Sequence, residues 1–342
     1  MVNIVAEKVD EKTWINNISE FKYSLLSLPE WINSVKNGNS SPIYLDFKIN
    51  NEIAGKISGL IFDYGKLKGK QLYFYASPIL KEYNQDLFDA CHTALYGFAK
   101  KHRFSRVILG SYDQQHQLKT ESPHFFITTR FEYINELDKE IKYGRGFKQN
   151  VRRAKKHDVN IEKGISKEIL VRLIELLNIT KEYRALKYGS DYDPLFLRNM
   201  TRETLARLID NGFAHLYHIC YDGDIDIVSY NIEKNDQVYA LLLGSNEMSY
   251  KLGLPSFLSQ KMIECYKKNN FRYYNSGGGT NDSGNKGLEW FKCSMGAKKI
   301  ILHGATTNYI NFPQTLLNPL MNLGRHLSDK NKIIKILKKR FG

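Results

Sequence analysis

Residues 273–297, YYNSGGGTNDSGNKGLEWFKCSMGA, gather side chains and backbone that could do chemistry. Gly277, Gly278 and Gly279 follow an apolar run. Glycine supplies positive φ and close backbone approach, so three in a row mark a bend beside a ligand or another backbone. Lys292, after Phe291, offers one cation, the kind of group that stabilises the oxyanion formed when an amine attacks an ester or thioester. The competing reading is a surface lysine behind a buried phenylalanine. Two carboxylates lie in turn-forming composition, Asp113 after VILGSY and Asp282 in GTNDSGN. An amine can lose its proton to water or to the substrate itself, so such a reaction requires no side-chain base.

A second set of charges lies in FKQNVRRAKKHDVNIEKG, from Phe147. Phe147, Val151 and Ala154 are spaced i, i+4 and i+7, one helical face, with Lys148, Arg152 and Lys155 on the adjoining one. This is a basic amphipathic helix, either a solvated face or an anion-binding surface. His215 and His218 lie on an expected strand, where i and i+3 project to opposite faces, so a shared metal is not expected. Cys91, Cys220, Cys265 and Cys293 lack C-x-x-C spacing, which argues for reduced, mostly buried thiols.

These residues need elements to hold them, and the elements occur twice. Residues 41–60 read as two strands around Asn50-Asn51, followed by a strand near 71–75. Residues 213–233 repeat that layout around Asp222-Gly223, with a strand at 238–243. The closing segments also match: ALYGFAKKHRFSRVILGS, from Ala94, overlays KMIECYKKNNFRYYNSGG, from Lys261, sharing KK-x-x-F at an offset of 167 residues. A duplicated αβ domain follows. Residues 166–211 read as helical, broken near 189–194.

The chain has 342 residues, 42% of them hydrophobic, enough for two domains. We place these at residues 1–143 and 144–310, with a basic helical tail at 311–342. No apolar run approaches a membrane span and the N-terminus does not read as a secretory signal, so a cytoplasmic protein is expected. The net charge of +14 favours anionic partners such as tRNA, nucleotide-sugar phosphates or an anionic membrane face, although an AT-rich coding composition produces a similar excess of lysine. In the tail, Ile333, Ile334, Leu337 and Phe341 form a stripe among lysines, so residues 330–342 are expected either to contact an anionic membrane peripherally, at its inner face, or to dock on the domain.

The order of the basic helix, ITKEYRALKY, a hairpin, a strand ending in GGG and then GLEWFKCSMGA resembles the Fem family of aminoacyl-tRNA-dependent peptidyltransferases, within the GNAT acyltransferase superfamily. Nearly the whole chain shares the resemblance, with its specific motifs between residues 147 and 297. It implies an α/β fold of two tandem GNAT-like domains, each a mixed, mostly antiparallel sheet flanked by helices, without the coiled-coil arm that many members carry. It also implies aminoacyl transfer to the peptide stem of a peptidoglycan precursor, or acylation of another envelope substrate such as a polysaccharide precursor. No cofactor is permanently bound; aminoacyl-tRNA or acyl-CoA is the co-substrate.

On the same resemblance, Phe291 and Lys292 match the F-K pair at the reaction centre, and Asp113 lies where some relatives carry an acid. Arg184 and Tyr188 match an acceptor-side phosphate-binding pair, with Tyr230 and Lys36 as further acceptor contacts. From their own charge and backbone freedom, Lys148, Arg152, Lys155 and the three glycines are expected on the donor side. GNAT enzymes that use CoA hold its pyrophosphate in a Q/R-x-x-G-x-G/A loop opening a helix; YKLGLPSFL, from Tyr250, departs from that pattern. Two other readings stand beside the aminoacyltransferase: an acyl-CoA-dependent N-acetyltransferase acting on an amino sugar or nucleotide sugar, and a non-enzymatic RNA- or membrane-binding protein.

Overall fold

The structure is a computed structural model that describes residues 4–188, 193–279 and 286–326; the side chains of Arg184, Lys187, Tyr188 and His326 are outside that description. The chain forms two compact units. One draws on residues 1–32, 36–128 and 303–342, the other on 33–35 and 129–302.

In chain order the elements begin with β1 (Val5–Val9), α1 (Glu11–Ile15), α2 (Pro29–Val35), β2 (Ser40–Ile49) and β3 (Glu52–Asp63). Then come α3 (Gly65–Lys68), β4 (Lys70–Phe74), β5 (Ile79–Leu80), α4 (Gln85–Lys101), β6 (Arg106–Leu109) and β7 (Phe125–Glu136). Next are α5 (Arg145–Ala154), β8 (Ile161–Gly164), α6 (Lys167–Tyr188), α7 (Arg202–Asp210), β9 (Ala214–Tyr221) and β10 (Asp224–Lys234). The chain continues with β11 (Gln237–Ser245), α8 (Glu247–Leu252), α9 (Leu254–Lys268), β12 (Tyr273–Gly279), α10 (Lys286–Ser294), β13 (Lys298–Thr307) and α11 (Asn318–His326).

In the first unit the strands run β1-β2-β3-β4-β6 and then the end of β13, antiparallel except for β4 and β6. In the second, β7 is followed by β12, β11, β10, β9 and β8, antiparallel except for β11 and β12. Each is thus a mixed, mostly antiparallel sheet with helices against it, and each has its own core. Phe47, Phe74, Phe88 and Leu95 centre the first, and Phe147, Tyr217, Phe257 and Tyr274 the second.

The repetition extends to individual hydrogen bonds. Both leading hairpins turn through two residues of positive φ, Asn50 (49°) and Asn51 (69°) in one, Asp222 (53°) and Gly223 (86°) in the other, the pattern of a type I′ turn. The shared KK-x-x-F is a helix ending. Arg103 (φ 59°) and Asn270 (φ 60°) take the left-handed position, and Phe104 N–H and Phe271 N–H donate back to Ala99 O (2.8 Å) and Tyr266 O (3.0 Å). That is the reach of a Schellman cap, with the phenylalanine as its apolar clasp. Ser105 and Arg272 then donate to Lys70 O and Asp236 O at 2.7 Å each, starting the parallel pairings.

The units differ where those pairings end. In the first, β6 pairs with β4 through Leu109, and Gly110 N–H and Tyr112 N–H extend the contact to Phe74 O and Tyr75 O. In the second, β12 pairs with β11 only from Tyr273 to Asn275. Beyond that point β12 keeps only its pairing with β7, which begins at Tyr273 and puts Gly278 opposite Glu132 and Gly279 opposite Phe131, while β11 runs on to Ser245. The two parallel strands part after three residue pairs and open a gap in the sheet.

Candidate functional site

The glycines make that departure feasible. The register slips between Asn275 and Gly278, so Ser276 and Gly277 form a bulge. Gly277 has φ +67°, a conformation that L side chains rarely adopt. A Cβ on Gly278 would lie 1.6 Å from Phe131 O. The run therefore admits another backbone, strand β7, to close approach.

Lys292 projects from α10 onto this bulge. Its Nζ donates to Ser276 O at 2.5 Å and lies 5.4 Å from the centre of the Tyr133 ring, while Ser276 Oγ donates to Tyr133 O at 3.0 Å. The side chain is only 8% exposed. Burial disfavours its charged form and lowers its pKa to about 8, an effect opposed by the Glu132 carboxylate and reinforced by the Arg130 guanidinium. Tyr133, pushed up to about 12 mainly by burial, stays neutral over the same pH range. Tyr133 also lines a shallow, half-open depression of about 10 Å³, room for about one water, with Phe131, Gly278, Gly279, Leu288 and Glu289. Phe291 points the other way: it packs on the core, its ring 6.1 Å from Phe147, and so fixes the helix that carries Lys292.

Beneath the bulge lies a charge cluster that motif spacing did not reveal. Glu132 is fully buried on β7 and pairs with Arg130 two residues earlier. It also accepts from Tyr239 Oη of β11 at 3.2 Å and from Asn275 Nδ2 of β12 at 2.8 Å. Asn275 Oδ1 in turn accepts from Gly277 N–H at 2.9 Å. One carboxylate thus ties β7 to both diverging strands at the point where they separate. The available signal was the i, i+2 placement of opposite charges in TTRFEYINE, which puts both on one face of a strand.

Helix α5 adjoins this site. Phe147, Val151 and Ala154 are buried and Lys148, Arg152, Arg153, Lys155 and Lys156 exposed. Gly144 N–H donates to Ser294 O at 2.7 Å, and a Cβ on Gly146 would touch Trp290 at 2.9 Å, so the basic helix is seated directly on α10. It also covers the start of α9. Asn150 O would lie 2.4 Å from a Cβ on Gly253, Arg153 donates to Lys251 O at 3.1 Å, and Leu254, Pro255 and Ser256 are buried. A CoA pyrophosphate needs open backbone N–H groups at that helix start. This covered start, with Pro255 in it, does not fit one.

The remaining expected residues are placed differently. Asp113 is buried in the first unit at φ 53°, its carboxylate accepting from Leu25 N–H at 2.9 Å. Tyr230 corrects an expectation: it is 0% exposed and its hydroxyl donates to Leu205 O at 2.8 Å. Its β10 position faces α7, so it is a core hydroxyl and not one presented to a phosphate. Lys36 is exposed just past α2. Arg184 and Tyr188 share one face of α6 by their spacing, but their side chains lie outside the described residues, as do Asp282 and residues 330–342. The thiols are less buried than expected. Only Cys91 is fully enclosed, Cys220 is intermediate, and Cys265 and Cys293 are exposed, Cys293 because it follows inward Lys292 on α10 and turns outward. His215 and His218 face separate carboxylates, Glu233 and Glu162, each at 3.4 Å.

Comparison with known proteins agrees with this geometry. Residues 142–286 match the family described as an acetyltransferase (GNAT) domain. No curated protein matches the chain in sequence. Among solved structures, FemX superposes with a TM-score of 0.68 at 14% identity, over 93% of this chain and 99% of FemX. L-PGS from Bacillus licheniformis gives 0.55 at 14% identity, over 93% and 97% of the two chains. A conserved protein of unknown function from Bacteroides thetaiotaomicron gives 0.54 at 12%, over 90% and 99%. A GNAT acetyltransferase domain match thus lies within the second unit, and the chain shares the fold of FemX over nearly its full length.

Proposed function

We propose that the protein is a cytoplasmic aminoacyltransferase that moves an aminoacyl group from a charged tRNA to an amine of a cell-envelope precursor, with peptidoglycan-type peptide stems as the acceptor class. The observation that carries this reading is the enclosed ammonium of Lys292, held on the β12 bulge where that strand parts from β11 and beside the shallow Tyr133 depression.

The acceptor amine attacks the ester carbonyl: a C–N bond forms and the carbonyl π pair moves onto oxygen. Collapse of that oxyanion breaks the bond to the ribose oxygen, which leaves with a proton, and the attacking nitrogen gives up its proton to solvent or substrate. The Lys292 cation favours the oxyanion, worth about 10²-fold in rate for a single well-placed group. Phe291 holds α10, and Arg130 and Glu132 set the field around the ammonium. Arg184 with Tyr188, and Lys36, are assigned to the acceptor, and Lys148, Arg152 and Lys155 to tRNA phosphates. Asp113 is assigned no proton transfer, since its carboxylate already holds Leu25 N–H.

The donor preference rests on α5. It offers exposed cations next to the lysine-bearing helix and at the same time closes the α9 start against a pyrophosphate. The second reading, acyl-CoA transfer to an amino sugar, is favoured by the acetyltransferase family match. Titration with CoA and with aminoacyl-tRNA at two salt concentrations separates them. We expect salt-sensitive tRNA binding; tight, salt-insensitive CoA binding without tRNA binding would replace the first reading by the second.

A further inference from the structure

We infer that the first unit carries a docking surface for an anionic lipid bilayer, formed by Leu67, Phe312, Leu316, Leu320 and Leu323. These side chains are 66%, 78%, 70%, 57% and 58% exposed. Leu316, Leu320 and Leu323 are spaced i, i+4 and i+7, one stripe along the 3-10 turn Gln314–Leu317 and α11.

The stripe faces outward on a segment that is fixed in place. Met321 on the other side is buried, and Asn318 both accepts from Tyr309 N–H (2.8 Å) and donates to Tyr309 O (2.9 Å). Gln314 Nε2 donates to Lys66 O at 3.0 Å, which brings α3 and its exposed Leu67 against the same segment. At the far end the Arg325 guanidinium stacks 3.5 Å above the ring of half-exposed Phe126. Grouped apolar exposure of this kind marks an interaction surface.

Charge identifies what covers it. Lys66 and Lys68 flank Leu67 at one end of the stripe, and Arg325 lies at the other. A second copy seated face to face would bring these cations against one another. An anionic bilayer accepts both parts, apolar side chains at the acyl boundary and cations among the headgroups. The inference is independent of the transfer chemistry, which belongs to the other unit.

Co-sedimentation of the full chain with phosphatidylcholine vesicles, with and without phosphatidylglycerol, tests this. Binding is expected only with the anionic lipid, and the double variant Leu316→Asp, Leu320→Asp should bind about tenfold more weakly or worse while keeping its melting temperature, since both sites are exposed. Leu316→Trp supplies a second readout that needs no loss of fold: its emission should shift to the blue on addition of anionic vesicles. Absence of vesicle binding, wild-type binding by the double variant, or an unmoved Trp emission would each overturn the proposal. So would a dimer that Leu316→Asp dissociates, which would assign the surface to a second copy.

Discussion

The Lys292 ammonium lies 2.5 Å from the carbonyl oxygen of Ser276, a residue of the bulge by which β12 leaves its parallel neighbour. Strand divergence and buried charge thus occur at one point, and the predictions follow from that coincidence.

Protonation of Lys292 should be visible in the pH profile. With its pKa lowered to about 8 by burial, the cation is lost as pH rises through that value, so transfer should fall on the alkaline side. Lys292→Arg, charged throughout, should remove this limb. The groups facing Lys292 are Glu132, Arg130 and Tyr133 of β7. For stability the sign is opposite to that of a paired lysine. Between about 8 and the ordinary lysine value the unfolded chain binds more protons, so this residue makes the fold more stable as pH rises across that window. A rate that instead rises through pH 8 in wild type alone would assign Lys292 the role of a base.

Glu132→Gln should act through Lys292. Removing the carboxylate takes away the influence that holds the lysine pKa up, so the alkaline limb should move to lower pH. Replacing the fully buried carboxylate that Arg130, Tyr239 and Asn275 all engage should also lower unfolding stability by on the order of 3 kcal/mol. Denaturant melts and pH–rate profiles of the same variant separate the effects. A stability loss with an unmoved limb would make Glu132 purely structural.

Gly278→Ala should destabilise by about 3 kcal/mol or more, because the added carbon would have to displace the Phe131 carbonyl. Gly287→Ala, which meets nothing within 4 Å, is the control and should melt as wild type.

Much of this architecture was readable in the residues. The KK-x-x-F match is the same helix ending built twice, and both hairpin turns carry residues that tolerate positive φ. Phe147, Val151 and Ala154 do form the inward face of α5. The glycine run posed a choice between ligand and backbone, and Phe131 provides the backbone. What local pattern could not convey was partnership across strands. The spacing of Arg130 and Glu132 does not show that β12 and β11 bring Asn275 and Tyr239 to the same carboxylate. The direction of Tyr230 depended on α7 lying against β10, a packing choice invisible in a strand's own alternation.

Charge on α5 should govern donor binding. Arg152→Glu with Lys155→Glu should weaken aminoacyl-tRNA binding by about tenfold or more at low salt and make the salt dependence shallower by about two contacts. The fold should be retained, since Phe147, Val151 and Ala154 supply the packing. Unchanged affinity and slope would remove α5 from the donor site.

The most direct test of the account is single-turnover transfer of a labelled aminoacyl group from charged tRNA to a peptide-stem amine by wild type and Lys292→Ala. The account predicts transfer by wild type and a rate about 10²-fold lower in the variant, with tRNA binding and melting temperature preserved. Equal rates in the two proteins would contradict it.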